Sequence, residues 1–248
     1  MGRLLAAGMS VSISLLLVRG LIAAEPTGAP VRVRLVLDWP AAAADDIEFP
    51  VYSGLSLPQR LATSVESVAV VDHHGRTVAC GHEALSHWHA DRSLKWVGLH
   101  FLARKGAQYF AVVGNDPGPP AGGLRIENRV GALVVDCGVA RFSLPHVGAL
   151  FGAVSVAGRD LLARNAACLI VKDQHGRVAD ETRGTASEAP QVEFADGQFA
   201  VVRREGTLQT AEGVRLGRYV VRLEFQAGSA VVKLQHSFIN TEDTSELQ

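Results

Sequence analysis

Short β-rich segments separated by glycine-containing turns are the feature that most constrains how this chain can fold. Residues 31–37 begin by alternating branched apolar and polar side chains, the two-residue period of a half-buried strand. Similar segments recur about every 8–12 residues, which predicts an all-β sandwich or barrel. Short helices are predicted only at 58–64 and 160–165. The other predicted strands are 65–71, 94–102, 108–113, 133–137, 140–144, 154–156, 168–172, 191–194, 199–204, 218–226 and 230–238.

Two turns share one sequence pattern. VVDHHGRTVA (70–79) and IVKDQHGRVA (170–179) each place an aspartate before a His-Gly-Arg turn between two β-rich segments. The aspartate can accept hydrogen bonds from its own turn backbone, and the glycine can adopt a positive φ. Both segments are therefore predicted to be hairpins in which the arginine begins the return strand, and no duplication is inferred from them.

The first 24 residues are predicted to be a signal peptide. Arg3 precedes an apolar run, Arg19 interrupts that run, and Ala23 and Ala24 form a small-residue cleavage zone. The mature protein is therefore expected to be secreted or periplasmic, with no membrane segment after cleavage. Residues 115–123 contain three prolines and three glycines, a composition typical of a linker. The predicted domains are 31–115 and 124–248, joined by the linker 116–123.

Charge and cysteine content exclude several classes of protein. The net charge is −1 and no basic stripe is present, which argues against a nucleic-acid partner. Cys80, Cys137 and Cys168 are too few for a disulfide scaffold, and at most one bridge can form. Which two are bridged, if any, stays open, and buried thiols are expected. Aromatic residues make up 6% of the chain, which argues against a strong sugar-binding platform.

The stretch CGHEALSHWHADRSLKW (80–96) concentrates the residues that could carry chemistry. Cys80, His82, His87 and His89 could meet a zinc ion across a hairpin, because residues two apart in a strand share a face. Ser86, His87 and Asp91 could form a catalytic triad, but no G-x-S-x-G elbow is present. The favoured interpretation is a hairpin and strand without metal, in which Asp91-Arg-Ser93 forms a turn and Trp88 and Trp96 pack in a core.

Three further candidates are assigned structural roles. Lys95 would serve as a base only if burial lowered its pKa. His236 and Asn240 share a face of a predicted strand, without a nucleophile tied to them. Asp45, Asp46 and Glu48 lack the spaced oxygen ligands of a calcium loop. No catalytic, cofactor-binding or metal-binding residue is therefore predicted, and no cofactor is expected.

Four motifs in order resemble one protein family. FPVYSGLSLP (49–58), ADRSLKWV (90–97), ARFSLP with GALF (140–151) and LQHSFIN (234–240) are similar to motifs of the exo-rhamnogalacturonan lyase-like (PcRGLX/YetA-like) proteins. One departure is Asp-Arg-Ser at 91–93, where the family pattern has Asp-Gly-Ser. The resemblance covers the chain from about residue 31 onward.

The resemblance implies a RIFT-type β-barrel followed by a β-sandwich that is expected to be incomplete. In full-length relatives a catalytic (α/α) toroid follows, and it lies outside these 248 residues. The expected function is thus a non-catalytic β region of an exported rhamnogalacturonan or pectin-type lyase-like protein, with a polysaccharide and the toroid as partners. A free-standing secreted carbohydrate-binding or cell-surface module is the alternative, and a small enzyme using the histidine-rich hairpin is a third. An unfinished sandwich is also expected to leave residues 230–240 as an open edge.

Overall fold

The fold is all-β, as the strand pattern predicted. The computed structural model describes residues 30–39, 47–114, 123–162, 170–182 and 189–240. These residues form 18 strands and one short 3-10 helix. Within these ranges no helix has the length and apolar character needed to cross a bilayer. The predicted signal peptide, Cys168 and all of the predicted linker except Gly123 lie outside the described ranges.

The chain divides into two compact units, 1–120 and 121–248. The first unit contains two antiparallel sheets, one of four strands and one of three. Both contribute to a single apolar core that includes Val70, Leu99, Phe101 and Ala111. The four-stranded sheet has the order β1 (Val31–Leu35), β7 (Tyr109–Val113), β3 (Val68–Asp72), β4 (Thr77–Val78), and the three-stranded sheet has the order β2 (Glu48–Ser56), β6 (Leu94–Arg104), β5 (Cys80–His87).

Strand β6 shows how the sequence selects the buried face of the three-stranded sheet. Val97, Leu99, Phe101 and Ala103 are fully buried and belong to the core. Because successive side chains of a strand point to opposite faces, the residues between them lie on the outer face. The β2 partners of these outer residues are fixed by the register Tyr52↔His100, Gly54↔Gly98 and Ser56↔Trp96.

The second unit is a sandwich of two antiparallel sheets. Phe142 of one sheet and Phe225 of the other lie 5.2 Å apart, measured between ring centroids, inside one apolar core. The five-stranded sheet has the order β12 (Arg159–Asp160), β11 (Ala153–Val156), β10 (Ala140–Pro145), β9 (Ala132–Asp136), β8 (Arg125–Arg129). The six-stranded sheet has the order β13 (Ile170–Lys172), β14 (Val178–Asp180), β16 (Phe199–Thr210), β17 (Arg215–Gln226), β18 (Lys233–Ile239), and β15 (Gln191–Ala195) also pairs with β16.

A buried arginine links the two sheets of this sandwich. Arg204 of β16 is 2% exposed. Its guanidinium donates hydrogen bonds to the carbonyl oxygens of Gly148 (2.5 Å) and Ala149 (2.6 Å), in the loop between β10 and β11. These bonds compensate part of the cost of removing a charged group from water.

Neither predicted short helix is found in the residues that the structure describes. Residues 58–64 form turns, and Arg60 has a left-handed backbone with φ 68°, which ends any helix. A 3-10 helix follows instead at Val65–Ser67, capped by the Ser64 side chain, so β3 begins only at Val68. Asp160 belongs to β12, which returns after the turn at residues 157–158, and no helix occurs in the described part of 160–165.

The repeated aspartate turns are confirmed as hairpins, although each return strand begins one residue after the arginine, at Thr77 and at Val178. Asp72 Oδ1 accepts hydrogen bonds from the backbone of His74 and Arg76, both at 2.9 Å. The second hairpin repeats this arrangement, because Asp173 Oδ1 accepts from the backbone of His175 (2.9 Å) and Arg177 (2.8 Å). The glycines of the two turns, Gly75 and Gly176, have φ values of 79° and 80°.

Candidate functional site

The histidine-rich stretch forms the β5–β6 hairpin, as predicted. Its cysteine lies at one end of β5, where it is 1% exposed and its thiol donates to the carbonyl of Gly81 at 3.2 Å. His87 lies at the other end of the same strand and is exposed. Cys80, His82 and His87 therefore follow one strand rather than facing each other across a hairpin. Among the described residues no group of three or more His, Cys, Asp or Glu is arranged to hold a metal.

Asp91 stabilises the turn at residues 91–93 by hydrogen bonds. Its Oδ1 accepts hydrogen bonds from the Ser93 hydroxyl (2.7 Å) and the Ser93 backbone (3.0 Å), and the hydroxyl bond is the largest contribution that lowers the pKa of Asp91. Arg60 also pairs with this carboxylate at 3.8 Å. The structure thus gives Asp91 a turn-stabilising role, which is what the sequence predicted for residues 91–93.

The remaining candidates have separate surroundings. The ammonium group of Lys95 lies 4.9 Å from the ring centroid of Trp88. His236 stacks on Tyr219 at 5.9 Å, and burial lowers the pKa of His236. Asn240 follows the end of β18. Glu48 begins β2 and pairs with Arg104 at 2.9 Å, and Asp45 and Asp46 lie outside the described residues.

The outer side of the three-stranded sheet carries two exposed aromatic rings. Trp96 is 38% exposed and Tyr52 is 43% exposed. Trp96 was expected to pack in the core, and that expectation is wrong because the buried neighbour Val97 turns it to the opposite side. We call this surface the aromatic face, and it comprises Tyr52, Gly54, Glu83, Trp96, Gly98 and His100.

Two glycines seat the rings of the aromatic face. Gly54 and Gly98 are direct partners on neighbouring strands. A Cβ built on Gly54 would lie 3.5 Å from the six-membered ring of Trp96, and one on Gly98 would lie 3.3 Å from the ring of Tyr52. Each ring therefore rests on the glycine of the neighbouring strand. Because Gly54 and Gly98 are direct partners, both rings approach the same pair of positions on the sheet.

Polar groups support one end of the aromatic face. His100 is 3% exposed and its ring lies 4.6 Å from that of Tyr52, measured between centroids. The Nε2 atom of His100 is 3.8 Å from a carboxylate oxygen of Glu83, whose side chain stays 36% exposed. The face thus joins flat apolar surface to a solvent-accessible carboxylate.

The second unit has a shallow cavity of about 390 Å³ on the outer side of its five-stranded sheet. Arg129, Arg141 and Asp160 stand around small residues such as Ala153 and Ser155. The arginines are held by acids: Arg129 pairs with Glu127 at 2.5 Å, and Arg141 pairs with Asp136 at 2.7 Å. The hydrogen bond from the Arg141 side chain is the main cause that lowers the pKa of Asp136. This surface is therefore an internally paired charge network.

The aromatic face was missed at the sequence level although its signal is present. VYSGLS and WVGLHF both alternate buried and outward residues, and both place a glycine two positions from an outward aromatic. The sequence pattern of residues 49–58 resembles the family motif, and β2 occupies Glu48–Ser56. The alternation of β2, with Val51 and Leu55 buried, places Tyr52 and Gly54 on the outer side.

Comparison with known proteins identifies the second unit. Residues 124–247 match the family model described as the PcRGLX-like protein central beta sandwich domain. The matched region contains both sheets of the second unit. No match to a curated protein was found.

Proposed function

Because this chain belongs to the PcRGLX-like family, we propose that it is the non-catalytic β region of an exported polysaccharide lyase-like protein. The observation that carries the proposal is the match of the second unit to a domain described as central. A central domain has neighbours on both sides in sequence, and the β unit of residues 30–114 precedes it here. We assign that first unit to the RIFT-type barrel of the family.

In this proposal the two β units support or orient a catalytic (α/α) toroid. The polysaccharide is of the rhamnogalacturonan or pectin type, and the protein acts outside the cytoplasm after cleavage of residues 1–24. The apolar run after Arg3 and the small residues Ala23 and Ala24 support export. Motif order in residues 49–58, 90–97, 140–151 and 234–240 supports the family's substrate class.

A reconstitution experiment tests this function. Purified residues 25–248 are incubated with rhamnogalacturonan, alone and together with a separately expressed toroid domain of the family. The β region alone should release no unsaturated sugars, and adding it should raise the activity or the melting temperature of the toroid. The second unit alone is the matched control, since it lacks the proposed barrel. Unsaturated products from residues 25–248 alone would contradict the proposal.

A second function is favoured by the aromatic face. Exposed Tyr52 and Trp96 on one sheet surface support a free-standing carbohydrate-binding or cell-surface module. Such a module should bind polysaccharide with the same affinity whether or not a toroid is present. A supporting β region should instead gain affinity for polysaccharide when the toroid is added.

A further inference from the structure

We propose that the aromatic face binds a neutral pyranose unit of a polysaccharide by stacking it on Tyr52 and Trp96. This inference rests on the proposed function in one respect, since it takes the ligand to be a polysaccharide. Beyond the proposed function, the inference specifies where the binding site lies, which residues form it and that the bound sugar unit is uncharged.

The first step is the exposure of two large rings on one surface. Tyr52 and Trp96 keep 43% and 38% of their surface accessible, although β2 and β6 bury apolar neighbours such as Val51 and Val97 almost completely. Both rings are amphipathic, with an apolar body and a polar tip, which suits a ligand that has C–H and hydroxyl groups. Single exposed apolar residues are common, whereas these two rings both approach the Gly54–Gly98 pair and so share one surface.

The second step is the orientation of the rings. Each lies over a glycine of the neighbouring strand, where a Cβ would approach the Trp96 ring to 3.5 Å at Gly54 and the Tyr52 ring to 3.3 Å at Gly98. A ring seated in this way turns its other side to solvent. The face of an aromatic ring carries negative charge in its quadrupole and attracts the weakly positive C–H groups of a pyranose.

The third step is rigidity before binding. The Tyr52 ring packs on the buried His100, and Trp96 belongs to β6, the middle strand of the sheet. Rings fixed in this way lose little conformational entropy when a ligand binds, so more of the stacking energy contributes to affinity.

The fourth step concerns the charge of the sugar unit that the aromatic face prefers. Glu83 presents a partly exposed carboxylate beside these rings. A carboxylate accepts hydrogen bonds from sugar hydroxyl groups, but it repels the carboxylate of a uronate. The aromatic face therefore favours a neutral unit over an acidic one.

The cavity of the second unit is less suited to stacking. Arg129 and Arg141 are already paired with Glu127 and Asp136, and no aromatic residue lines that cavity. An acidic polysaccharide that bound there would not depend on Trp96, so the two surfaces can be distinguished by mutation.

The test compares residues 25–248 and variants by calorimetry and affinity electrophoresis, with a neutral galactan, a neutral glucan and polygalacturonate as probes. Neutral polysaccharide should bind and polygalacturonate should bind more weakly. Trp96→Ala should lower the affinity about tenfold and Tyr52→Ala about threefold, while Trp96→Phe and Tyr52→Phe keep a ring and stay near wild type. Glu83→Gln should reduce the difference in binding affinity between the neutral polysaccharides and polygalacturonate.

Phe110→Ala is the matched control, because Phe110 is a half-buried ring on β7 of the other sheet. Circular dichroism of each variant separates loss of binding from loss of fold. Unchanged neutral binding in folded Trp96→Ala and Tyr52→Ala variants, or binding of polygalacturonate alone, would overturn the inference. If the β region stimulates the toroid but no neutral probe binds, this inference fails and the proposed function stands. If binding depends on Trp96 and no stimulation occurs, the inference stands and the supporting role fails.

Discussion

Arg92 has a left-handed backbone at the turn between β5 and β6, with φ 63° and an exposed side chain. A residue with a Cβ loses about 1–2 kcal/mol in this conformation, and glycine avoids most of that cost while increasing the entropy of the unfolded chain. We expect Arg92→Gly, which restores the Asp-Gly-Ser family pattern, to raise the free energy of unfolding by about 0.5–1 kcal/mol, measured by chemical denaturation.

Gly106→Ala is the control that makes the reverse change, because it adds a Cβ at a position with a positive φ. Gly106 has φ 80° and no atom within 4 Å of a built Cβ, so alanine there introduces backbone strain without a clash. It should lower the free energy of unfolding by about 1 kcal/mol. A loss of stability in Arg92→Gly would show that the arginine side chain outweighs its backbone strain.

Asp72 makes the stability of the protein depend on pH in the acidic range. Desolvation acts to raise its pKa, but hydrogen bonds from the backbone and side chain of Arg76 and the backbone of His74 outweigh it and lower the pKa to about 2. A carboxyl whose pKa is lower in the folded state stabilises the protein above its unfolded value of 3.8 and loses that effect as the pH falls toward 2.

We therefore expect Asp72→Asn to lower the melting temperature at pH 7 and to converge with wild type near pH 2. Thermal melts at a series of pH values measure this convergence. Asp173→Asn is the matched variant in the second hairpin, where the pKa of Asp173 is also lowered. A constant difference between variant and wild type over the whole pH range would contradict the prediction.

Residue-level prediction succeeded for the turns and failed for Trp96. The roles of Asp72 and Gly75 follow from a few adjacent residues, since the hydrogen bonds close within one turn. The alternation in β6 puts Trp96 and Val97 on opposite sides of the sheet, but which of these sides is buried depends on how the two sheets pack, and that is not encoded in the adjacent residues.

At the scale of elements, β17 and β18 depend on one close approach. A Cβ on Gly217 would lie 2.6 Å from the Phe238 ring and 2.8 Å from the carbonyl oxygen of Ile239. The ring can rotate away, but the backbone oxygen can move only if the strand moves. We expect Gly217→Ala to destabilise the second unit by about 1–3 kcal/mol, measured by denaturant unfolding.

Gly54→Ala is the control for this clash, because its nearest contact of 3.5 Å is an ordinary van der Waals distance. It should change the unfolding free energy by less than about 1 kcal/mol. Equal effects of the two substitutions would show that β18 can shift without cost.

Strand prediction depended on how much of each strand is apolar. The consecutive apolar residues of β9 and the apolar alternation of β10 are sufficient to locate both strands. Strand β8 was missed because only Ile126 of its sequence RIENR packs on the core. The other four residues face water or the paired charges of the sheet surface, and their polarity resembles a loop.

For the whole molecule, the predicted open edge is present among the described residues. Among the strands that the structure describes, β18 pairs only with β17, and its Leu234 and Phe238 are 47% and 46% exposed. Such an edge can pair with another chain. We expect residues 25–248 to melt at a lower temperature and to scatter more light on heating than residues 31–115.

A substitution at the edge tests its contribution. Leu234→Lys should reduce light scattering with little effect on the melting temperature, because a charged edge residue opposes strand pairing between chains. Equal melting temperatures of residues 25–248 and 31–115 would refute the expected difference between the two units.

The family could be predicted from four motifs in order, and the match over residues 124–247 confirms it. The aromatic face could be predicted only in part, because the alternation that turns Tyr52 and Trp96 outward is local, whereas the assembly of the face from β2, β5 and β6 depends on strand register. Tyr52 lies 31 positions before Glu83, and Glu83 lies 15 positions before Gly98, yet the three become neighbours through two strand pairings.

The buried Arg204 has a consequence for how the sandwich opens. Its guanidinium belongs to one sheet and its acceptors at Gly148 and Ala149 belong to the loop of the other. Separating the sheets would leave a charged group without these acceptors before water could reach it. Native-state hydrogen exchange should therefore group the amides of β10 and β16 in one protection class, since the two sheets would be exposed together in a single cooperative opening.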